Sequence, residues 1–383
     1  MTEFPAGFRA MTGSIGIADD RPDVLIVAAE EVVPTAGLYT KSRFAGPSVV
    51  ISRHHGSNKL ARAVVVVARN ANVATGPDGH DHAKALAVRT AEVVGCETDD
   101  VLVAATGVIG RLLPMDRIHR WFDRITWVDA DQAVTEAASA IMTTDTTPKV
   151  VTSTAGQATV VGIAKGVGMI EPDMATMISV ITTDAAIEPD ELDEMWRRVV
   201  DRSFNAVSID TDTSTSDTAI VMASGRAGTV SATELERALF EVALGLTKMI
   251  ASDGEGAETL IEVRVDGARD DAQARRVAKS IVNSPLVKTA VHGADPNWGR
   301  VAMAIGKCSA DTDIEPDRTT IRFGLDEVYP QLLGEAALAG LSSYLGGDEV
   351  LIHVSLGIGA GTFTAYGCDL TDGYIRLNAD YTT

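Results

Sequence analysis

The sequence predicts a mixed α/β protein in which helices and strands pack as layers. Short apolar runs recur along the 383 residues, and between them lie segments whose apolar residues have the spacing of amphipathic helices. Apolar residues make up 45% of the chain but aromatic residues only 5%, so the core must consist of small and β-branched side chains. Neither a long linker nor an internal repeat interrupts this pattern. The alternation favours a layered sandwich over a helical bundle or a barrel.

Each predicted element rests on local spacing. Short continuous apolar runs predict buried strands at residues 24–29, 48–52, 64–68, 101–105, 150–153, 158–164, 176–182, 258–265, 349–356 and 362–367. Apolar residues that recur at every third or fourth position predict helices at residues 81–94, 130–142, 189–204, 231–252 and 270–282. Gly156 supplies a turn between two strands, and Ser231 with Glu234 forms a capping box where helix 231–252 begins.

The charge and the cysteines exclude several classes of protein. Lys and Arg total 33 against 53 Asp and Glu, so the net charge is −20 and phosphate-rich partners such as nucleic acids or anionic membranes are repelled. Cys96, Cys308 and Cys368 lie far apart, which fits reduced thiols better than a disulfide framework or a zinc site. Neither a signal peptide nor an apolar run long enough to span a membrane is present. We therefore expect a cytoplasmic protein with no metal and no cofactor.

One segment carries a candidate nucleophile. Thr176 follows the small residue Ala175, between a loop rich in Gly and Pro and an apolar run. A hydroxyl is a weak nucleophile unless a base lies beside it, and an N-terminal threonine has its own α-amine, with a pKa of about 7.7–8.0, as that base. Cleavage between Ala175 and Thr176 would create this terminus. The same pattern also fits a threonine that merely begins a buried strand.

Several motifs together resemble those of one family. They are Lys165-Gly-Val-Gly-Met-Ile-Glu-Pro-Asp-Met-Ala-Thr176, Ala105-Thr-Gly-Val-Ile-Gly110, Met142-Thr-Thr-Asp-Thr146, Ser208 to Asp217, Asp253-Gly-Glu-Gly256, His292 to Arg300 and Asn378-Ala-Asp-Tyr-Thr-Thr383. In this order, and over the whole chain, they are similar to the signatures of the ornithine acetyltransferases, also called glutamate N-acetyltransferases.

The resemblance implies an activity and an organisation. A precursor of this family cleaves itself, here into an α chain of residues 1–175 and a β chain of residues 176–383. Thr176 then takes an acetyl group from N2-acetylornithine and passes it to L-glutamate, in a ping-pong reaction through an acetyl-threonine ester and without a cofactor. The implied fold is a mixed α/β sandwich similar to that of N-terminal-nucleophile hydrolases. The two chains are expected to associate as α2β2 or higher.

The resemblance also assigns roles to residues. Thr106 and Gly107 match the oxyanion positions, one as a hydroxyl and the other as a backbone N–H. Lys165 matches the cation that holds the α-carboxylate of either substrate, and Glu255 matches the carboxylate that holds the side-chain amine of ornithine. The remaining matches to substrate contacts are Thr143, Asn378 and Thr383.

Two features leave alternatives open. Asp173 stands where members of the arginine pathway commonly have Asn, and with Glu171 nearby the cleavage segment looks more like the branch found in clavulanic-acid clusters. The acyl-enzyme chemistry also suits a self-cleaving amidase or aminopeptidase that uses water as acceptor, or the fold could be kept in an uncleaved binding protein. The acidic residues of segment 208–217 are expected to form a structural hydrogen-bond network rather than a catalytic group.

Overall fold

The computed structural model describes residues 3–17, 21–171, 177–331 and 333–380, with Asp129 and Glu335 as backbone only. Its strands are β1 (Phe8–Gly13), β2 (Val24–Tyr39), β3 (Leu60–Val67), β4 (Val101–Ala105), β5 (Lys149–Ala155), β6 (Ala158–Lys165), β7 (Ile178–Ala186), β8 (Thr218–Thr229), β9 (Leu260–Ala268), β10 (Thr320–Phe323), β11 (Asp326–Tyr329), β12 (Glu349–Ser355) and β13 (Gly361–Cys368). Its helices are α1 (Pro47–His55), α2 (Gly76–Val94), α3 (Met115–Phe122), α4 (Val134–Ala140), α5 (Pro189–Arg202), α6 (Ala232–Ser252), α7 (Asp271–Val282), α8 (Pro285–His292), α9 (Trp298–Gly306), α10 (Glu335–Leu345) and α11 (Asp372–Asp380). The prediction of a mixed α/β fold is confirmed.

The chain divides into two compact units. The first unit contains the described residues of 1–205 and 212–246, and the second contains 206–211 and the described residues from 247 onward. This division differs in kind from the expected cleavage into residues 1–175 and 176–383, because that boundary falls inside the first unit.

The first unit is built on one large sheet. Its strand order is β4-β3-β2-β8-β7-β6-β5, and β1 pairs with the first half of β2. The pairs β3–β4 and β7–β8 are parallel, whereas the other pairs along this path are antiparallel. Gly156, with φ of +57°, makes the predicted turn between β5 and β6. The sheet therefore places strands from both sides of residue 175 next to one another.

Alternate residues of this sheet fill two cores. On one face, side chains such as Leu25 and Val64 pack with helix α4. On the other face, their neighbours Ile26 and Val65 pack with α1, α2 and α3. Strands buried on both faces read as continuous apolar runs, which is why β3 and β4 were predictable from sequence.

The predicted strand at residues 48–52 is wrong, because this run lies in helix α1. Pro47 occupies the first turn, where its missing N–H costs nothing, and three basic residues, Arg53, His54 and His55, end the helix where cations are favoured. Five apolar residues cannot distinguish a strand from a buried stretch of helix.

The second unit has its own sheet and core. The strand order is β11-β10-β12-β9-β13, and only the β9–β12 pair is parallel. Helix α7 packs on β9 and β13 through buried residues that include Val277 and Ile281. Across the described ranges of both units, no helix combines the length and apolarity needed to cross a membrane.

Helix α1 is tied to the sheet through one serine. The Ser52 hydroxyl donates to the carbonyl of Val103 and accepts from its N–H, both at 2.6 Å. Both groups belong to β4, which ends the sheet, so Ser52 satisfies buried edge groups that have no neighbouring strand.

Replacing Ser52 by Ala should therefore lower the free energy of unfolding by about 1–3 kcal/mol, since it leaves a buried donor and acceptor unpaired. Urea denaturation checks this. Ser48 is the matched control, because it is buried in the same helix and its hydroxyl has no hydrogen-bond partner among the described residues. S48A should leave the midpoint unchanged or raise it, and equal losses in both variants would contradict the assigned role of Ser52.

Candidate active site

Thr106 and Gly107 form a corner directly after β4. The N–H of Thr106 bonds to the carbonyl of Val67 at 3.0 Å, which continues the β3–β4 pairing past the end of the strands. Gly107 has φ of +126°, and a Cβ there would lie 2.2 Å from the carbonyl carbon of Arg69. Only glycine fits this approach. Within the described residues the N–H of Gly107 has no acceptor, so it is available to an incoming oxygen.

The loop facing Gly107 is conformationally strained. Arg69, Asn72 and Ala74 all have positive φ, at 69°, 52° and 57°. Asn side chains hold the loop: Asn72 donates to the carbonyl of Gly79 at 2.7 Å, and Asn70 accepts from the N–H of Asn72 at 2.8 Å. Strain of this kind persists where surrounding structure enforces it, and it concentrates at functional sites.

Lys165, the last residue of β6, lies beside Thr106. Its ammonium is buried and donates to the Thr106 hydroxyl oxygen across 3.4 Å. Because an ammonium only donates, Thr106 must accept here, and its own hydrogen remains to bond a developing oxyanion. The structure thus brings together three of the residues that the resemblance assigned to chemistry.

A buried carboxylate that sequence reasoning did not single out organises this region. Asp145 accepts from the Lys149 ammonium at 2.9 Å, the Gly166 N–H at 2.7 Å and the Thr143 N–H at 3.0 Å. Burial alone would raise its pKa, but the charges of Lys165 and Lys149 and the Gly166 N–H outweigh it and lower the pKa to about 2. Asp145 therefore links Thr143 to the segment that follows Lys165.

Asp217 is a second buried carboxyl and ends the segment for which the sequence predicts a structural hydrogen-bond network. Burial raises its pKa well above the ordinary value, against hydrogen bonds from Ser214 and the N–H of Met177 and the charge of Lys165. Its Oδ2 has no hydrogen-bond partner among the described residues. The backbone of segment 208–217 also reaches the loop before the cleavage segment, since the Glu171 N–H donates to the carbonyl of Asp212 at 2.9 Å.

In the second unit, the structure brings Glu255 and Asn378 together. The Asn378 amide donates to Glu255 Oε2 at 2.9 Å. Helix α11, which carries Asn378, is held close to the Glu255 loop because the Thr371 hydroxyl bonds to the carbonyl of Gly256. A Cβ on Gly256 would lie 2.3 Å from the backbone nitrogen of Tyr374, so the close approach requires glycine.

Three predicted residues, Ala175, Thr176 and Thr383, lie outside the described residues. The nucleophile and the cleavage position therefore stay predictions. A groove of about 1250 Å³ in the first unit contains none of the predicted site residues. Some of its cations pair with acids, as Lys59 does with Asp190 at 2.6 Å, but six Lys and Arg side chains line it against three Asp and Glu.

A hydroxyl and a backbone N–H on adjacent residues, beside a buried ammonium, are suited to the oxyanion of an acyl-transfer reaction. The class of protein that this geometry defines is an acyltransferase. The family described as the ArgJ family matches residues 9–383. The chain belongs to that family, which confirms the resemblance seen in the motifs.

Two relatives align with this chain over nearly the full length of both sequences. "Glutamate N-acetyltransferase Oat2" of Streptomyces clavuligerus is 56% identical over 99% of this chain and 98% of its own. "Arginine biosynthesis bifunctional protein ArgJ" of Rhodococcoides fascians is 51% identical over 99% and 94%. A crystal structure of the ArgJ protein of Bacillus halodurans contains a chain that is 41% identical in sequence to this one. The match covers 52% of this chain and 97% of the Bacillus halodurans chain, with a TM-score of 0.49.

Replacing Asp145 by Asn should lower the free energy of unfolding at pH 7 by about 3–5 kcal/mol, because Lys149 is fully buried and loses its counter-charge. Since the folded pKa lies below the unfolded value, the carboxylate stabilises the fold above about pH 4 and loses this effect as pH falls toward 2. Urea titrations should therefore show that the difference in free energy of unfolding between wild type and D145N becomes smaller as the pH falls from about 4 toward 2. D123N, at an exposed ion pair, is the control, and a similar loss there would contradict the central role of Asp145.

Proposed function

We propose that this chain is a glutamate N-acetyltransferase that moves the acetyl group of N2-acetylornithine to L-glutamate. The observation that carries the proposal is the hydrogen bond from the buried Lys165 ammonium to the Thr106 hydroxyl, directly beside the tightly packed Gly107. The names of the full-length relatives support the acetyl acceptor and the pathway, arginine biosynthesis.

The proposed reaction has two balanced steps. The α-amine of Thr176 takes the hydroxyl proton as the oxygen attacks the acetyl carbonyl, and Thr106 and Gly107 donate to the oxyanion. The C–N bond then breaks, ornithine leaves with the proton on its amine, and the acetyl group stays on Thr176 as an ester. In the second step the amine of glutamate attacks this ester, which releases N-acetylglutamate and restores the threonine hydroxyl.

Recognition of the two amino acids follows from charge. Lys165 would bind the α-carboxylate that both substrates share, and its burial makes that ion pair stronger than a surface pair. Glu255 would bind the side-chain ammonium of ornithine. Asn378 positions this carboxylate through the 2.9 Å hydrogen bond to Glu255 Oε2. We place Thr143 and Thr383 among the substrate contacts on the resemblance alone.

We further propose that the precursor cleaves itself between Ala175 and Thr176. Strand β7 begins two residues later, at Ile178, and pairs with β6 on one side and β8 on the other. The α chain would supply β1 to β6 and the β chain β7 and β8, so the two chains would interleave in one sheet. These ladders would hold the chains together after the peptide bond breaks.

Intact mass under denaturing conditions tests the cleavage. We expect two chains of about 18 and about 22 kDa, the larger beginning Thr-Met-Ile-Ser, because the new amine must lie on the nucleophile. T176A should remain one 40.3 kDa chain and lack transfer activity. T176S keeps a hydroxyl and should still be cleaved. A T176A protein that is processed normally would refute the assignment.

The setting of the enzyme forms part of the proposal. We infer cytoplasmic αβ pairs that associate as α2β2 or higher, and the three free cysteines support a reducing compartment. The cleavage segment, with Glu171 and Asp173, supports a role in clavulanic-acid biosynthesis in addition to arginine biosynthesis.

The acyl acceptor separates the transferase from an amidase. With N2-acetylornithine as donor, ornithine release should depend on glutamate and should yield one N-acetylglutamate for each ornithine, because only an amine acceptor completes the ping-pong cycle. Chromatography of both products measures this ratio. Release at the same rate without glutamate, with acetate as product, would establish the hydrolase instead. T176A is the blank for uncatalysed release.

A further inference from the structure

The second unit contains a histidine flanked by two carboxylates that the proposed reaction does not use. Asp369 Oδ2 lies 3.1 Å and Glu258 Oε2 lies 3.6 Å from the same atom, Nδ1 of His292. The Asp369 side chain is fully buried, whereas those of His292 and Glu258 are 37% and 69% exposed. The three side chains therefore converge at the surface around one buried oxygen.

A single N–H hydrogen bond from His292 Nδ1 cannot satisfy both carboxylates, those of Glu258 and Asp369. A ring nitrogen carries at most one hydrogen, which can point at only one of the two oxygens. Among the described residues, no lysine or arginine pairs with Glu258 or Asp369. In the described part of the chain, the Asp369 carboxyl bonds to the imidazole and to two backbone N–H groups, those of Glu258 and Thr259, which donate to its Oδ1 at 2.9 and 3.0 Å.

We propose that Glu258, His292 and Asp369 bind a divalent transition-metal ion, with Zn²⁺ as the first candidate. Ligand bonds of about 2.0–2.2 Å in a tetrahedral site place the ligand atoms roughly 3.3–3.6 Å apart. The observed separations of 3.1 and 3.6 Å are close to this spacing. All three ligand atoms lie within 4.8 Å of one another, so a small rotation of the exposed Glu258 side chain would bring them around one ion.

The donor set also selects the kind of ion. An imidazole nitrogen with two carboxylate oxygens suits first-row transition metals, whereas Mg²⁺ and Ca²⁺ prefer oxygen ligands alone. The two backbone N–H groups on Oδ1 fix the Asp369 carboxylate so that Oδ2 faces the ion, which is the usual work of outer contacts at metal sites. Three protein ligands leave a position for water.

The ligands come from distant parts of the chain. Glu258 precedes β9, His292 ends α8 and Asp369 follows β13, so 34 and 77 residues separate them. No spacing rule for metal motifs finds such a set, which explains why the sequence indicated no metal. The ion would clamp the loop before β9, which also carries Glu255. This last consequence, unlike the binding itself, rests on the proposed function.

Metal titration of the full chain tests the site. After removal of metal by EDTA and dialysis at pH 7.5, Co²⁺ is added and visible absorption recorded, and Zn²⁺ binding is measured by calorimetry. We expect one equivalent of Co²⁺ with the intense bands of a four- or five-coordinate ion. H292Q should weaken binding by at least about tenfold, and E258Q, at an exposed position that tolerates change, should weaken it as well.

The matched control is H353Q. His353 also pairs with an aspartate, since its Nε2 lies 2.7 Å from Asp266 Oδ2, but it lies outside the three-residue cluster. This variant should bind Co²⁺ as the wild type does. No uptake, or uptake that H292Q and E258Q leave unchanged, would overturn the proposal and leave His292 as a hydrogen-bonding group. Because the assay measures binding alone, its failure does not bear on the acetyltransferase assignment.

Discussion

The arrangement around Thr106 and Lys165 in the first unit depends on one buried carboxylate. Asp145 holds the Lys149 ammonium, the backbone after Lys165 and the backbone of Thr143 in one place. Two lysines bring positive charge into a region closed to water, and this is tolerable only because an anion meets them there. The position of the Lys165 ammonium relative to Thr106 thus follows from a residue that need not touch a substrate.

The rigidity of the Thr106–Gly107 corner comes from backbone packing. Gly107 approaches the backbone of Arg69 more closely than any other residue type allows, and the strained 69–74 loop is fixed by asparagine hydrogen bonds. Donors held in this way need not reorganise when charge develops, which is the main advantage of such a site over water. Burial of apolar side chains in the cores on both faces of the sheet stabilises the folded unit and so offsets this strain.

Sequence reasoning succeeded where a local pattern was long, as in helix α2 and strands β3 and β4. Motifs singled out Thr106, Gly107, Lys165, Glu255 and Asn378, whose roles stay predictions. It failed at residues 48–52, which lie in α1 because Pro47 favours the first turn of a helix and the basic residues favour its last turn. It also ended β2 too early, because Glu30 and Glu31 interrupt a strand that continues to Tyr39. The central place of Asp145 could not be predicted, since its partner Gly166 is 21 residues away and its burial depends on the whole sheet.

The position of β8 also sets an order of events during synthesis. This strand lies between β2 and β7, so the sheet has a gap until residue 229 has left the ribosome. A nascent chain that stops before β8 already contains β2, β6 and β7 but lacks the strand that joins β2 to β7. If the proposed self-cleavage needs the complete sheet, it would also act as a check on translation, because truncated chains would stay uncleaved and inert.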